Sequence, residues 1–408
     1  MAADTRLIRT VKLTNFLSYG DAGREVELGP LNVLIGPNSS GKSNLIEAMG
    51  VLKAAPRDIA APIREGGGVT DWIWKGSTHE AAADINATVS HPAGTMPLRY
   101  KLAFASTGQR FELVDEAVEN ERATKDHMGE TIRSYYQFRR GKPVILVRTT
   151  PSDGLGGSDD NRVIGEPQQK DFDITQSVLT QRKDPQRYPE VTNLGSQFAR
   201  IRLYREWNLR RDTPPRVPQK TDMPEDFLLE DASNLALVLN DLEHRGAKRP
   251  IVEHLRSFYH GVQDVTTKVH GGTIQIYVHE AGLANPVPAT RLSDGTLRYL
   301  CLLSILCHPT PPPLICIEEP ELGLHPDVLR TLAKLLVEAS GRTQIIVTTH
   351  SDVLVSALSD TPECILICEK DEQGTRLERL KAEPLAEWLE KYSLGELWRM
   401  GEIGGTVD

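Results

Sequence analysis

At 408 residues, with 39% hydrophobic and 25% charged positions, the chain has the composition of a soluble globular protein with one large or two modest domains. A net charge of −9 argues against a protein wholly devoted to coating nucleic acid, and no apolar run approaches the roughly 20 residues needed to span a bilayer. The five cysteines lack CxxC or HxxxH spacing, which points to buried thiols rather than a disulfide framework or zinc, and MAADTRLIRT has no signal-peptide core, so a cytoplasmic location is expected.

Residues 7–13 and 24–28 alternate apolar and polar positions and predict two short strands joined by a turn at 19–21. Residues 31–35 (LNVLI) predict a continuous apolar strand, followed by a glycine-rich loop and a helix from about 43 to 52. That loop satisfies G-x-x-x-x-G-K-[ST] with Gly36, Pro37, Asn38, Ser39, Ser40, Gly41, Lys42 and Ser43, and Asn44 continues into the helix. Its glycines let backbone N–H groups curl around a phosphate. Lys42 can reach the β- and γ-phosphates of ATP, and the Ser43 hydroxyl can ligate Mg²⁺ at a helix N-terminus already favourable to anions.

DINATV, LRYKLAF, RFELVDE, IRSYYQF and PVILVR then predict an antiparallel meander, and the polar stretch 149–167 predicts a loop. From about 170 to 262 the pattern turns helical, interrupted by Pro214, Pro215 and Pro218. Within it, Phe198, Arg200, Arg202, Tyr204, Arg205, Trp207, Arg210 and Arg211 form a basic, aromatic segment. Such a segment can track a nucleic-acid backbone and stack on bases, or it can pack its rings inward and leave the arginines solvated. Tyr135, Tyr136, Phe138, Arg139, Arg140 and Lys142 form a second, weaker example. Strand alternation returns at 271–282. Helix 296–307, strand 314–317, helix 327–339, strands 344–348 and 364–368, a turn at 371–374, strand 376–380 and helix 385–392 follow. Alternating helix and strand imply a mainly parallel sheet covered by helices. There is no internal repeat and no heptad series.

Strand 314–317 ends in Glu318-Glu319-Pro320. The first carboxylate is placed to support the metal, and the second to orient or deprotonate an attacking water. His350, at the end of strand 344–348, can hydrogen-bond the γ-phosphate or that water. Ser293, Asp294 and Gly295 open an apolar helix, where they serve as a helix cap or as donors aimed at a phosphate.

The ordered series of phosphate loop, LSDGT, strand–EEP, GLHP and TTHS resembles the ABC-type ATPases of the RecF/SMC group, especially the bacterial AAA_21 and OLD-like ATPases. The resemblance implies an α/β P-loop ATPase head with a mainly parallel sheet, an antiparallel β meander and an inserted helical lobe. The expected divisions are 1–168 and 266–408 for the two parts of the head and 169–265 for the lobe. It further implies that residues 36–44 bind ATP and Mg²⁺, with Lys42, Glu319 and His350 catalytic and Ser43 and Glu318 on the metal. Ser293, Asp294 and Gly295 would complete the site of a second copy in a head-to-tail homodimer, with residues 323–326 at the same interface. Glu318 stands where the family usually has Asp. The coupling glutamine expected near the metal is assigned to Gln176, with Gln181 behind it. Candidate partners are DNA, in repair or anti-phage defence, and a separately encoded nuclease. A membrane transporter's ATP-binding subunit and a switch acting on a protein partner without DNA are the alternatives. The residues after His350 are too few for a Toprim nuclease domain.

Overall fold

The computed structural model describes residues 4–76, 81–91, 94, 96–125, 131–139, 142–148, 162–165 and 172–404. Strands β1 (Ile8–Thr14) and β2 (Glu25–Glu27) are partly open and pair antiparallel, whereas β3 (Leu31–Ile35) is buried along its whole length. Helices α1 (Lys42–Ala54), α2 (Ala61–Glu65) and α3 (Val69–Trp72) follow. The meander is β4 (Ala83–Val89), β5 (Leu98–Thr107), β6 (Arg110–Lys125), β7 (Thr131–Arg139), β8 (Lys142–Arg148) and β9 (Arg162–Gly165). With β1 and β2 it forms an eight-stranded antiparallel sheet ordered β2-β1-β4-β5-β6-β7-β8-β9. Apart from β9, the stretch 149–167 expected as a loop lies outside the described residues.

Helices α4 (Val178–Gln181) and α5 (Pro189–Ala199) come next, but the region read as helical then supplies two strands. These are β10 (Arg202–Tyr204), in the central sheet, and β11 (Gln219–Lys220). Both are too short to carry the period-two pattern that marks a strand. Helices α6 (Leu235–His244) and α7 (Lys248–Phe258) precede β12 (Val262–His270), β13 (Thr273–Glu280) and β14 (Val287–Pro288); β11, β12 and β14 all pair with β13.

The C-terminal part alternates α8 (Asp294–Leu306), β15 (Leu314–Glu318), α9 (Pro326–Ser340), β16 (Gln344–Thr348), α10 (Asp352–Ser356) and β17 (Ile365–Asp371). Strand β18 (Gly374–Arg379) and helices α11 (Ala382–Leu389) and α12 (Leu394–Arg399) end it. The central sheet runs β10-β15-β16-β3-β17-β18, parallel except for the edge strand β18. This is the expected α/β head with a mainly parallel sheet and an antiparallel meander.

Both faces of the central sheet are covered, which is why its strands read as unbroken apolar runs. Val33, Ile35, Ile315, Ile317, Ile345, Val347, Ile365 and Ile367 point into one core, against α8 and α9. Leu34, Leu314, Cys316, Ile346 and Leu366 point into the other, against α1, α5 and the antiparallel sheet. Each fully buried Leu or Ile contributes about 1.5–3 kcal/mol. Buried Gln344 ties the two sheets together: its Oε1 accepts from Leu7 N (3.1 Å) and Ile8 N (2.8 Å), and its Nε2 donates to Ile8 O (2.7 Å) and Gly29 O (3.0 Å). Among the described residues no helix is long and apolar enough to cross a membrane, and no cluster of His, Cys, Asp and Glu could hold a metal by itself. All five cysteines are free.

Candidate active site

Parallel pairing in register sets Glu318 beside Thr348 and Thr348 beside Leu34, so three neighbouring strands deliver their carboxyl ends to one edge of the sheet. The loop after β3 wraps the start of α1. Gly41, its last residue, takes a left-handed φ of 105°, and a Cβ there would collide with Thr375 Oγ1 and Ser18 Oγ. Those two hydroxyls are a clamp: Thr375 Oγ1 donates to Ser40 O at 2.7 Å and lies 2.7 Å from Ser18 Oγ, from which it can accept, and Asn44 Nδ2 donates to Ser18 Oγ at 2.6 Å. The C-terminal hairpin β17–β18 thus backs the phosphate loop.

Lys42 is buried, and its Nζ donates to Gly36 O (2.9 Å) and Pro37 O (2.8 Å), while burial pulls its pKa down. Ser43 Oγ donates to Glu318 Oε2 at 2.8 Å. Burial raises the Glu318 carboxyl, opposed by that hydrogen bond and by Arg205. Glu319 adopts a left-handed φ of 45°, with its N–H bonded to Thr348 O at 3.0 Å. This turns its carboxylate to 3.7 Å from His350 Nε2. Glu321 fixes the histidine loop, Oε1 accepting from Thr349 Oγ1 (2.7 Å) and His350 N (2.8 Å). Lys42, Ser43, Asn44, Glu319, Thr348 and His350 line a cavity of about 400 Å³, together with Asn38, Ser39 and Gly41.

The donor set fits a magnesium nucleotide. A hydroxyl and a carboxylate, the hard oxygen donors Mg²⁺ prefers, lie within hydrogen-bond reach of each other beside a lysine whose ammonium is held only by loop carbonyls. Ser40 Oγ is buried in the loop without a hydrogen-bond partner among the described residues.

Ser293, Asp294 and Gly295 do not join this cavity. Ser293 caps α8, its Oγ accepting from Thr296 N at 3.1 Å, and Asp294 pairs with the buried guanidinium of Arg216. Arg216 also donates to Leu209 O (2.7 Å) and Leu292 O (2.5 Å), bracing the loop from behind. Asp294 lines a separate depression with Trp207, Arg298, Leu322 and Gly323.

Gln176 is placed far from the metal donors. It hydrogen-bonds Asp58, past the C-terminal end of α1, and neighbouring Thr180 Oγ1 donates to Ala55 O at 2.7 Å. The length of α1, about 18 Å at 1.5 Å per residue, separates this end from Ser43. Gln181 stays local, its Nε2 donating to Gln176 O at 2.8 Å. The place beside Glu318 belongs to Arg205, which follows β10 and lies in the basic, aromatic segment 198–211. Phe198, Tyr204 and Trp207 of that segment are buried, and so are Tyr135, Tyr136 and Phe138 of the second; Arg140 lies outside the described residues. The rings pack inward. Arg205 is itself held by Glu47, Nη1 to Oε1 at 2.7 Å, and the four-residue offset of Glu47 from Ser43 puts both on one face of α1; Arg205, Arg216 and Glu321 carry no such local pattern.

The profile of AAA_21, described as AAA domain, putative AbiEii toxin, Type IV TA system, matches residues 31–356. Among solved structures, an Smc head bound to the C-winged helix domain of ScpA is 16% identical at a TM-score of 0.55, over 93% of this chain and 99% of that one. The Smc head domain with an extended coiled coil bound to the C-terminal domain of ScpA, from Pyrococcus furiosus, is 14% identical at 0.57, over 94% and 99%. These likenesses establish the fold as that of an SMC head. No curated protein matches the sequence.

Proposed function

Because the chain belongs to the AAA_21 family and is an ATPase of ABC/SMC-like P-loop type, we propose that it turns over ATP as a head-to-tail homodimer, each site made from the phosphate loop of one copy and residues 293–295 of the other. What carries this reading is the split between two surfaces. Lys42, Ser43, Glu319 and His350 share one cavity, while Ser293, Asp294, Leu322 and Gly323 lie exposed outside it, the last three around a separate depression. In this reading Lys42 leaves the carbonyls of Gly36 and Pro37 for the β- and γ-phosphates, and residues 38–44 supply backbone N–H donors. Ser43 and Glu318 would hold Mg²⁺, which would supply positive charge to offset that of the phosphates. Glu319 orients the attacking water and takes its proton, and His350 donates toward the γ-phosphate. Ser293 and Gly295 of the second copy complete the cage.

Lys42→Ala should lower ATP affinity at least tenfold by calorimetry, and Glu319→Gln should retain binding, lose most turnover and accumulate an ATP-dependent dimer by light scattering. Unchanged affinity in the first variant removes the phosphate-loop assignment, and a monomeric second variant removes the dimer.

For the output, the burial of Phe198, Tyr204 and Trp207 favours a switch acting on a protein partner over one that reads DNA. The family's description as a putative toxin of a toxin–antitoxin system supports the same choice. A role in repair or anti-phage defence through DNA and a separate nuclease then rests on exposed cations such as Arg210 and Arg211.

A further inference from the structure

Beside the acidic pair stands a cation in the place where a neutral glutamine was expected. Tyr204, the last residue of β10, pairs with Ile317 of β15, so the next residue, Arg205, reaches the level of Glu318. Its guanidinium forms a bidentate pair with Glu47, Nη1 to Oε1 at 2.7 Å and Nη2 to Oε2 at 2.9 Å, while its Nε lies 3.5 Å from Glu318 Oε1. Glu47 projects from the same face of α1 as Ser43, whose hydroxyl holds the other oxygen of Glu318. Both sides of the arginine are anchored: Leu203 N donates to Glu230 Oε1 at 2.6 Å and Trp207 Nε1 to Glu230 O at 3.1 Å. The arginine side chain is 38% exposed and Glu318 19%. Two carboxylates therefore share one guanidinium, tightly at Glu47 and loosely at Glu318.

We infer that Arg205 is the resident counter-cation of Glu318, occupying the carboxylate's charge before Mg²⁺ arrives and withdrawing onto Glu47 when the divalent ion takes it. This rests on the reading that Ser43 and Glu318 hold the metal. Arg205 is thus a positioning residue that sets how much Mg²⁺ the site requires: it holds Glu318 beside Ser43 and competes with the ion for the carboxylate. Glu47 is the second seat that makes withdrawal cheap.

The test is fluorescent ATP-analogue (mant-ATP) binding by the full chain as Mg²⁺ is titrated, which needs no turnover. Arg205→Met should lower the half-saturating Mg²⁺ concentration about three- to tenfold, and Glu47→Gln should raise it by a similar factor because the guanidinium turns fully onto Glu318. The double variant should behave like Arg205→Met, since Glu47 acts through the arginine. Arg205→Lys, which keeps the charge, should stay near wild type, and it serves as the reading if Arg205→Met does not fold. Shifts of the same sign in Arg205→Met and Glu47→Gln, or a double variant equal to their sum, overturn the inference and leave the phosphate loop intact. Wild-type protein that binds no nucleotide at any Mg²⁺ concentration overturns the parent reading as well.

Discussion

Glu319, like Ser39 in the phosphate loop, holds a left-handed backbone within the site. A non-glycine residue in the left-handed region costs on the order of 1–3 kcal/mol, and here the bond to Thr348 O maintains it. The return is a carboxylate turned toward His350 instead of back along the strand. Gly295 is constrained differently: a Cβ there would stand 2.7 Å from Gly323 O, so the first turn of α8 and the loop after β15 touch through bare backbone. Gly295→Ala should push the two apart. The expected result is unchanged nucleotide affinity in the monomer, a weakened ATP-dependent dimer by light scattering and at least tenfold slower turnover; full dimerisation would show that the contact is dispensable. Residues such as Lys42, Ser43 and Glu319 were legible because each belongs to a short contiguous pattern whose chemistry depends on spacing. Arg205 was not, because its partners are brought by α1 and β15, and a lone arginine between two aromatics has no signature of its own.

At the scale of elements, the same distinction holds. Strands β3, β15, β16 and β17 announce themselves through apolar runs, a consequence of cores on both faces. β10 does not, since three residues that open on Arg202 and are followed by Arg205 carry no run, although it forms the sheet edge on which Arg205 depends. Gln344 is a second silent feature: within QIIVT it reads as an ordinary polar strand start. Its four hydrogen bonds to Leu7, Ile8 and Gly29 are what dock β1 on the central sheet. Gln344→Leu keeps the size and strands those buried backbone groups, so it should destabilise the fold by about 2–4 kcal/mol, read as a lower denaturant midpoint. A loss under about 0.5 kcal/mol would mean that β1 finds other partners.

For the whole molecule, a charge of −9 and inward-packed aromatics set the expected response to nucleic acid. Turnover should be unaffected by linear duplex DNA at low salt; stimulation that fades as salt rises would restore the DNA-sensing reading, because phosphate contacts release counterions. The order of strands carries one more consequence. β3, which bears the phosphate loop, lies between β16 and β17, made more than 300 residues later in the chain. A ribosome therefore releases the nucleotide-binding motif well before its two supporting strands. Until β17 and β18 emerge the loop lacks one strand neighbour and the hydroxyl of Thr375, so a fully braced phosphate loop belongs only to a chain synthesised at least as far as Thr375.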